Sequence, residues 1–283
     1  ALLKTGNQLD VQVDNTGIEI SSDALRLKDS GTTDAKIGNR TVDQATATAF
    51  GIKKYFSRTE SNITLNEAAK CRFIFLCLPT PTVDGNCDTS IIEGIVAQLS
   101  EIGCSGIIVN RSTVIPGTVK NLCEKYNVPI VSNPEFLTEK TAELDAKHPD
   151  IVVIGSDMPV WGEALKGLYD ARFKGVNTYM TDSVTAETVK YAINCFYALK
   201  VIYANQLYDL CQRNGANYER IKEIMYHRKW IGNNHLTVWF NEKRGVHGRC
   251  LLKDLEAFTN YSNMSLLKEA FNINEGIKNA RPN

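Results

Sequence analysis

The segment "RFIFLCLP", residues 72–79, decides the fold, because it is apolar on both faces that a strand would present. Successive side chains of a strand point to opposite faces, so a continuous apolar run predicts a strand covered on both sides. "GIIVNRST" (106–113), "VPIVSNPEF" (128–136) and "DIVVIGS" (150–156) repeat the pattern. Stretches with the spacing of amphipathic helices separate these strands. The alternation predicts an α/β fold with a doubly wound parallel sheet.

Three predicted strands end in polar, turn-forming residues. These ends are 79–81, 112–113 and 133–135. Ligands of open α/β sheets bind beyond the carboxyl ends of the strands, so the three ends together favour a ligand site at this edge. In the alternative interpretation, the proline and threonine residues only terminate the strands and bind no ligand.

Residues 1–48 have a different composition, with no aromatic residue and no cysteine. The stretch "LDVQVDNTGIEISSDALRLKD" (9–29) alternates apolar and polar residues, which predicts short strands joined by turns. This segment resembles the repetitive β segments of phage tail-fibre proteins. An ordinary β-meander or a poorly ordered polar extension would explain the same composition.

A single long helix is predicted from Asp182 and Ser183, which are typical N-cap residues, to Gly215, a typical residue after a helix end. Its apolar surface is broad, which favours burial against a second subunit. Lys190 and Asn194 lie four residues apart and therefore on one face. Periodicity alone favours a solvated polar stripe for this pair.

Bulk properties exclude several classes of function. Lysine and arginine number 32 and so do aspartate and glutamate, so the net charge of zero gives no sign of a nucleic-acid partner. No apolar run approaches the roughly 20 residues that span a bilayer. Eight cysteines at irregular spacing and only four histidines argue against a metal site. The cysteines within apolar runs fit reduced, buried thiols of a cytosolic protein.

Five motifs appear in a fixed order: "FLCLPTPT", "STVIPGT", "NPEFLTEKTA", "TAETVKYAINCFYALKVIYANQL" and "GRCLLKDLEAF". Together they resemble the UDP-glucose/GDP-mannose dehydrogenase family of nucleotide-sugar 6-dehydrogenases, over roughly residues 55–270. The resemblance implies a partial Rossmann-like NAD-binding domain at 49–180 and a helical dimerisation domain at 181–283. "HRKWIGNNH" and "KRGVHGRC" are most similar to the UDP-glucose branch.

The resemblance implies NAD-dependent oxidation of UDP-glucose to UDP-glucuronate by two hydride transfers, through a cysteine thiohemiacetal and thioester. Cys250 matches the nucleophile. Lys190 and Asn194 match the pair that stabilises the oxyanion and holds water, and Asp254 matches a carboxylate that orients this water. Glu135 matches the general-base candidate.

The resemblance also implies binding residues, partners and a compartment. The residues matched to cofactor contacts are Thr80, Thr113 and Glu139, and Thr113 also matches a threonine at the reacting centre. The substrate contacts are Phe136, Leu137, Asn233 and Arg244. The implied partners are a UDP-sugar and a second copy bound through the helix at 183–214, with no nucleic acid, membrane or metal. A cytoplasmic role in polysaccharide biosynthesis follows from the same resemblance.

The sequence departs from the family pattern at four places. It contains no G-x-G-x-x-G turn, which in the family brings the backbone to the cofactor pyrophosphate. His247 and Leu252 replace a glycine and a proline of the thiol motif, and the histidine is either tolerated or an obstacle to the sugar. "TVWFNEKRG" lacks the usual proline- and glycine-rich loop, and no second nucleotide-closing domain follows. These departures imply a form incomplete at both ends, with impaired activity.

Two other functions remain open at this point. A phage-type fusion would be a structural or glycan-binding protein without activity. The 6-phosphogluconate dehydrogenase-like group shares a Rossmann domain followed by a helical domain, but uses a lysine without a cysteine nucleophile. The pair Cys250 and Asp254 argues against this second alternative.

Overall fold

A computed structural model describes residues 2–5, 8–11, 64–138, 141–248 and 250–279. Residues 12–29 of the predicted alternation and Glu139 lie outside these residues. The chain divides into two compact units, Ala1–Thr80 with Asp88–Lys190 and Pro81–Cys87 with Tyr191–Asn283. The boundary at 190/191 falls within the long helix.

Among the described residues, strands and helices alternate along the first unit, whereas the second unit is mainly helical. The strands are β1 Leu2–Thr5, β2 Gln8–Val11, β3 Phe73–Leu76, β4 Thr82–Val83, β5 Asn86–Cys87, β6 Ile107–Asn110, β7 Ile130–Ser132, β8 Ile151–Gly155, β9 Asn177–Thr181, β10 Trp239–Phe240 and β11 Lys243–Arg244. The helices are α1 Leu65–Ala68, α2 Ser90–Glu101, α3 Thr118–Tyr126, α4 Ala142–Lys147, α5 Pro159–Arg172, α6 Ser183–Asn214, α7 Tyr218–Tyr226, α8 Leu251–Ser262 and α9 Ser265–Asn279. None of these helices combines the length and hydropathy needed to cross a membrane.

The central sheet of the first unit has the spatial order β3-β6-β7-β8-β9 among the described strands. Its pairs are parallel, as predicted, except that β7 meets β8 in antiparallel orientation at Ser132 and Gly155. Strand β9 was not predicted from the sequence. Its "NTYMT" pattern is half-exposed, because β9 lies at an edge of the sheet and lacks the apolar run that marks a central strand.

Helices cover both faces of this sheet, which confirms the prediction from the continuous apolar runs. Alternate residues of β3, β6 and β7 belong to different buried clusters. One cluster contains Phe73, Val109 and Val131 together with residues of α4 and α5. The other contains Ile74, Ile108 and Ile130 together with residues of α2 and α3.

The start of α1 differs from a sequence expectation. Asn66 precedes "EAAK" in the sequence and is by residue type the predicted N-cap, whereas the structure places Thr64 there. The Thr64 hydroxyl accepts from the Glu67 N–H at 3.2 Å, and the Glu67 carboxylate accepts from the Thr64 N–H at 2.7 Å. The reciprocal T-x-x-E capping box satisfies two unpaired backbone donors, so it defines the start of the helix.

The long helix α6 agrees with its prediction at both ends. Asp182 Oδ1 accepts from the Thr185 N–H at 2.8 Å, and Gly215 follows the helix with a φ of +72°. In the second unit, the β4–β5 hairpin is bonded to α8, because Asn260 Nδ2 donates to the Gly85 carbonyl at 2.8 Å. The second unit therefore has its own network of contacts around α8.

The end of β8 tolerates only glycine at position 155. A Cβ there would lie 2.4 Å from Ala186 Cβ, 2.7 Å from the Asp182 carbonyl oxygen and 2.9 Å from Ser183 Cα. We expect Gly155→Ala to lower the free energy of unfolding by about 1–3 kcal/mol, because backbone atoms cannot rotate away from the added methyl group. Urea denaturation measures the change.

Gly167 provides the matched control. It is exposed on α5, and a Cβ there would meet nothing within 4 Å. Gly167→Ala should raise stability by roughly 0.5–1 kcal/mol, because glycine costs entropy inside a helix. Equal stability of the two variants would contradict the close packing of β8 against the start of α6.

Candidate active site

The predicted site residues divide between the two units. Thr80, Thr113, Glu135, Phe136, Leu137 and Lys190 belong to the first unit, whereas Asn194, Asn233, Arg244, Cys250 and Asp254 belong to the second. Lys190 and Asn194 lie on the same helix, one turn apart on either side of the boundary.

The polar ends of β3 and β6 are bonded to each other. The Thr80 hydroxyl, only 6% exposed, donates to the Thr113 carbonyl at 2.7 Å. The Ser112 hydroxyl accepts from the Leu78 N–H at 2.8 Å and donates to the Leu78 carbonyl at 2.7 Å. The Thr80 proton is therefore committed to Thr113, and contact of Thr80 with the cofactor stays a prediction.

Lys190 is not part of a solvated stripe. It is 8% exposed, and its ammonium donates to the Glu135 backbone carbonyl and lies 5.4 Å from the centre of the Phe136 ring. A buried charge is costly unless hydrogen bonds or ring faces compensate for lost water. The structure therefore holds a positive charge at the carboxyl end of β7.

The Glu135 side chain bonds within its own segment. Its carboxylate accepts from the Leu137 N–H, and both residues are half-buried. The Leu137 side chain packs against the core cluster that contains Val131. Substrate contact through Leu137 stays a prediction.

Asp254 in the second unit is a buried carboxylate with identified partners on both oxygens. It is 1% exposed. Asn194 Nδ2 donates to Oδ2 at 2.6 Å, and Lys253 Nζ pairs with Oδ1 at 2.6 Å. Asn194 is 6% exposed, so it is not part of a solvated stripe either. The three side chains form a polar cluster at the start of α8.

Cys250 differs from the other cysteines in its surroundings. It occupies the N-cap position of α8 and is exposed, whereas the other seven are buried or half-buried. Burial, followed by the charge of Asp254, raises the pKa of Cys195 to about 12, which keeps that thiol protonated. The N–H groups and dipole of a helix start favour a thiolate, so Cys250 has the better environment for a nucleophile.

Arg244 and Asn233 have different surroundings in the second unit. The Arg244 guanidinium forms an ion pair with Asp209 at 2.7 Å and lies 5.1 Å from the centre of the Tyr208 ring. Asn233 is exposed in the segment between α7 and β10. The His247 ring bonds to the Arg244 carbonyl within its own turn, so its side chain is directed toward that turn.

Glu187 is a buried polar residue that the sequence interpretation missed. It is 2% exposed, and its carboxylate accepts from the N–H groups of Gly117 at 2.5 Å and Val119 at 2.9 Å. It thereby caps α3, whose N-cap Gly117 has no side chain. Glu187 lies one turn before Lys190 in the quoted motif, and this spacing was the available signal.

The fit of NAD to the residues present is partial. Hydroxyl groups at the ends of β3 and β6 suit polar recognition of a ligand at the strand edge. The sequence nevertheless contains no two glycines with one residue between them, so the turn that admits a pyrophosphate is missing from these 283 residues. The described residues therefore offer polar groups at the strand edge and lack the usual pyrophosphate contact.

Two sequence models of protein families match the chain. The NAD binding domain of the UDP-glucose/GDP-mannose dehydrogenase family matches residues 10–173, a range that begins inside the segment 1–48. The central domain of the same family matches residues 184–276. The first match indicates that NAD is the cofactor.

Individual proteins agree with these matches. The UDP-glucose 6-dehydrogenase of Rickettsia felis is 33% identical over 208 residues, which cover 71% of this chain and 46% of that protein. The enzyme of the same name from Pseudomonas aeruginosa is 32% identical over 203 residues, covering 67% and 44%. A UDP-glucose dehydrogenase structure from the archaeon Pyrobaculum islandicum has a TM-score of 0.69 at 29% identity, covering 75% and 52%. The chain spans about half the length of these curated relatives.

Glu187 predicts a pH dependence of stability. Burial, with smaller contributions from Asp157 and Asp182, raises its pKa from 4.5 to about 7 despite the two backbone hydrogen bonds. The folded state therefore holds the proton more tightly. The contribution of the Glu187 carboxyl to the free energy of unfolding is therefore full below about pH 4.5, and it is lost as the pH rises through about 7. Relative to Glu187→Gln, the wild type should lose about 2–3 kcal/mol of unfolding free energy across this window.

Urea titrations at several pH values measure this difference. Glu143→Gln is the control, because Glu143 is an exposed residue of α4 and should leave the pH profile of the wild type unchanged. Parallel profiles of the wild type and Glu187→Gln would show that the Glu187 carboxyl titrates normally.

Proposed function

Since the chain belongs to the UDP-glucose/GDP-mannose dehydrogenase family, we propose that it takes part in the NAD-dependent oxidation of UDP-glucose to UDP-glucuronate. One observation carries the proposal. An exposed thiol, Cys250, begins a helix whose first turn contains a buried carboxylate, Asp254, bonded to the amide of Asn194. A nucleophile needs access, whereas the groups that orient water need fixed positions.

Cys250 captures the sugar aldehyde in the proposed mechanism. Its thiolate attacks the C6 carbonyl carbon, a C–S bond forms, and the carbonyl oxygen becomes an oxyanion. By the family resemblance, Lys190 is the residue assigned to balance this negative charge. NAD, when bound, supplies the acceptor for the two hydrides that leave C6.

Water then releases the product from the thioester. The carboxylate of Asp254 and the amide of Asn194 orient the water, and breaking the C–S bond restores the thiolate and leaves a carboxylic acid. Both side chains are less than 10% exposed and bonded to each other, which restricts their motion. Glu135 remains the candidate general base.

The catalytic proposal predicts a selective loss of turnover. Cys250→Ser should reduce NADH formation from UDP-glucose and NAD by roughly 100-fold or more, because a neutral hydroxyl is a poor nucleophile for the aldehyde. Lys190→Met should also reduce it by roughly 100-fold, since an oxyanion would lose its charge partner. Absorbance of NADH follows the reaction.

Cys123→Ser serves as the control, because burial raises the pKa of the half-buried Cys123 thiol and keeps it protonated. Wild-type protein that neither binds NAD in calorimetry nor forms NADH would overturn the proposed function. The phage-type structural or glycan-binding alternative gains no support from the relatives.

We also propose that the protein forms a homodimer through α6 and acts in the cytoplasm. The part of α6 that belongs to the second unit leaves three large apolar side chains exposed, Phe196 at 61%, Tyr203 at 56% and Leu210 at 45%. They recur every seven residues and so share one face of the helix, as in helix pairs between subunits. Reduced cysteines fit a cytoplasmic enzyme of polysaccharide biosynthesis.

The dimer proposal predicts that Tyr203→Glu converts the dimer into monomers in size-exclusion chromatography with light scattering, because a charge would be buried in the interface. Ile224→Glu is the control, since Ile224 is 55% exposed on α7. A Tyr203→Glu protein with the mass of the wild type would contradict an interface at this face.

A further inference from the structure

Asn274, a fully buried residue of α9, forms a pair of hydrogen bonds with the backbone of one residue. Its Oδ1 accepts from the Val246 N–H at 2.6 Å, and its Nδ2 donates to the Val246 carbonyl at 3.3 Å. A side-chain amide thus makes the two bonds that paired residues exchange in an antiparallel sheet. The arrangement requires one donor and one acceptor on the same side chain.

The residue before Val246 leaves space for the contact between Val246 and Asn274. Gly245 has a φ of +83°, and a Cβ there would lie 2.8 Å from Asn274 Oδ1 and 3.2 Å from Ile277 Cγ2. A side chain at this position would be strained and would displace the asparagine. Gly245 therefore allows the backbone to approach α9.

A second buried asparagine holds the preceding residues. Asn205 of α6 is 0% exposed, and its Oδ1 accepts from Arg244 Nε at 3.1 Å and from the Gly245 N–H at 3.3 Å. Three consecutive residues, 244–246, are therefore bonded to two asparagines on two helices. We call these hydrogen bonds of residues 244–246 with Asn205 and Asn274 the anchor, because they hold the backbone of the segment that precedes Cys250.

The anchor lies only four residues before Cys250. Gly248, between them, has a φ of +84°. On the other side, the Cys250 carbonyl accepts from the Asp254 N–H at 2.9 Å, in the first turn of α8. Hydrogen bonds thus hold the backbone both in the helix that follows Cys250 and at residues 244–246 before it.

We propose that Asn274 is a positioning residue that holds the Cys250 thiol at the start of α8 by pairing with the backbone of Val246. The importance of this position for catalysis rests on the proposed function. The geometric claim does not need NAD or UDP-glucose, so it is tested separately.

Replacing Asn274 with Asp gives a variant whose defect depends on pH. An ionised carboxylate has no donor for the Val246 carbonyl, and a buried charge costs free energy. A protonated carboxyl group carries an acceptor oxygen and an O–H donor, so it reproduces both bonds. Burial raises the pKa of such a carboxyl group, which brings its protonated form into an accessible range.

The experiment measures alkylation of Cys250 by iodoacetamide, quantified by mass spectrometry against the other seven cysteines. At about pH 8, Asn274→Asp should react roughly tenfold more slowly at Cys250 than the wild type does, because the sulfur spends less time at the helix start. The ratio of the two rates should return to one as the pH falls. Rates at the other cysteines should stay equal in both proteins.

Asn272→Asp is the matched control. Asn272 is exposed on the same helix, so the same substitution adds the same charge without touching Val246. This variant should have the alkylation rate of the wild type at every pH. An equal loss at Cys250 in both variants, or a loss at all cysteines together, would refute positioning by Asn274.

Hydrogen exchange of the wild-type protein covers the case in which Asn274→Asp does not fold. The Val246 amide should exchange roughly 100-fold more slowly than the exposed amides of the β10–β11 turn, because it is buried and bonded. Exchange as fast as in that turn would overturn the proposal. If NADH formation fails while alkylation behaves as expected, the proposed function falls and the positioning role stands.

Discussion

The burial of polar side chains on α6 is the constraint on which the rest of the structure depends. Glu187, Lys190, Asn194 and Asn205 are all less than 10% exposed. A buried polar group is costly without a hydrogen bond, so each of these side chains determines the place of its partner. Within the first unit the partners are the N-terminus of α3 and the carbonyl of residue 135, and within the second they are Asp254 and the turn at 244–245.

This constraint links stability to the proposed chemistry. Lys190 lies in a place from which water is largely excluded, where electrostatic interactions are stronger than in solution. Asp254 is held by an amide and an ammonium group. Cys250 is exposed, and hydrogen bonds hold the backbone at Val246 before it and in the first turn of α8 after it. Covalent catalysis in general requires an accessible nucleophile and fixed polar groups.

Particular residues show how far prediction from sequence reached. The run at 72–79 predicted β3 with helices on both faces, because a continuous apolar pattern has few other solutions. Capping by Asn66 was wrong, because the T-x-x-E pair at Thr64 and Glu67 satisfies more backbone donors. Strand β9 was missed because an edge strand needs apolar residues on less of its surface. Periodicity favoured a solvated place for Lys190, whereas the structure buries it.

Local pattern and ordered motifs were enough to predict the fold class, the long helix from 183 to 214 and the family, and to nominate the candidate residues. These properties depend on side-chain order along the chain, which the sequence contains in full. Only the tertiary structure decided which polar residues are buried and what they bond, as for Glu187 with α3, Asn274 with Val246 and Arg244 with Asp209. The physical reason is that burial and hydrogen-bond partners arise between residues far apart in sequence, where periodicity carries no information about distance.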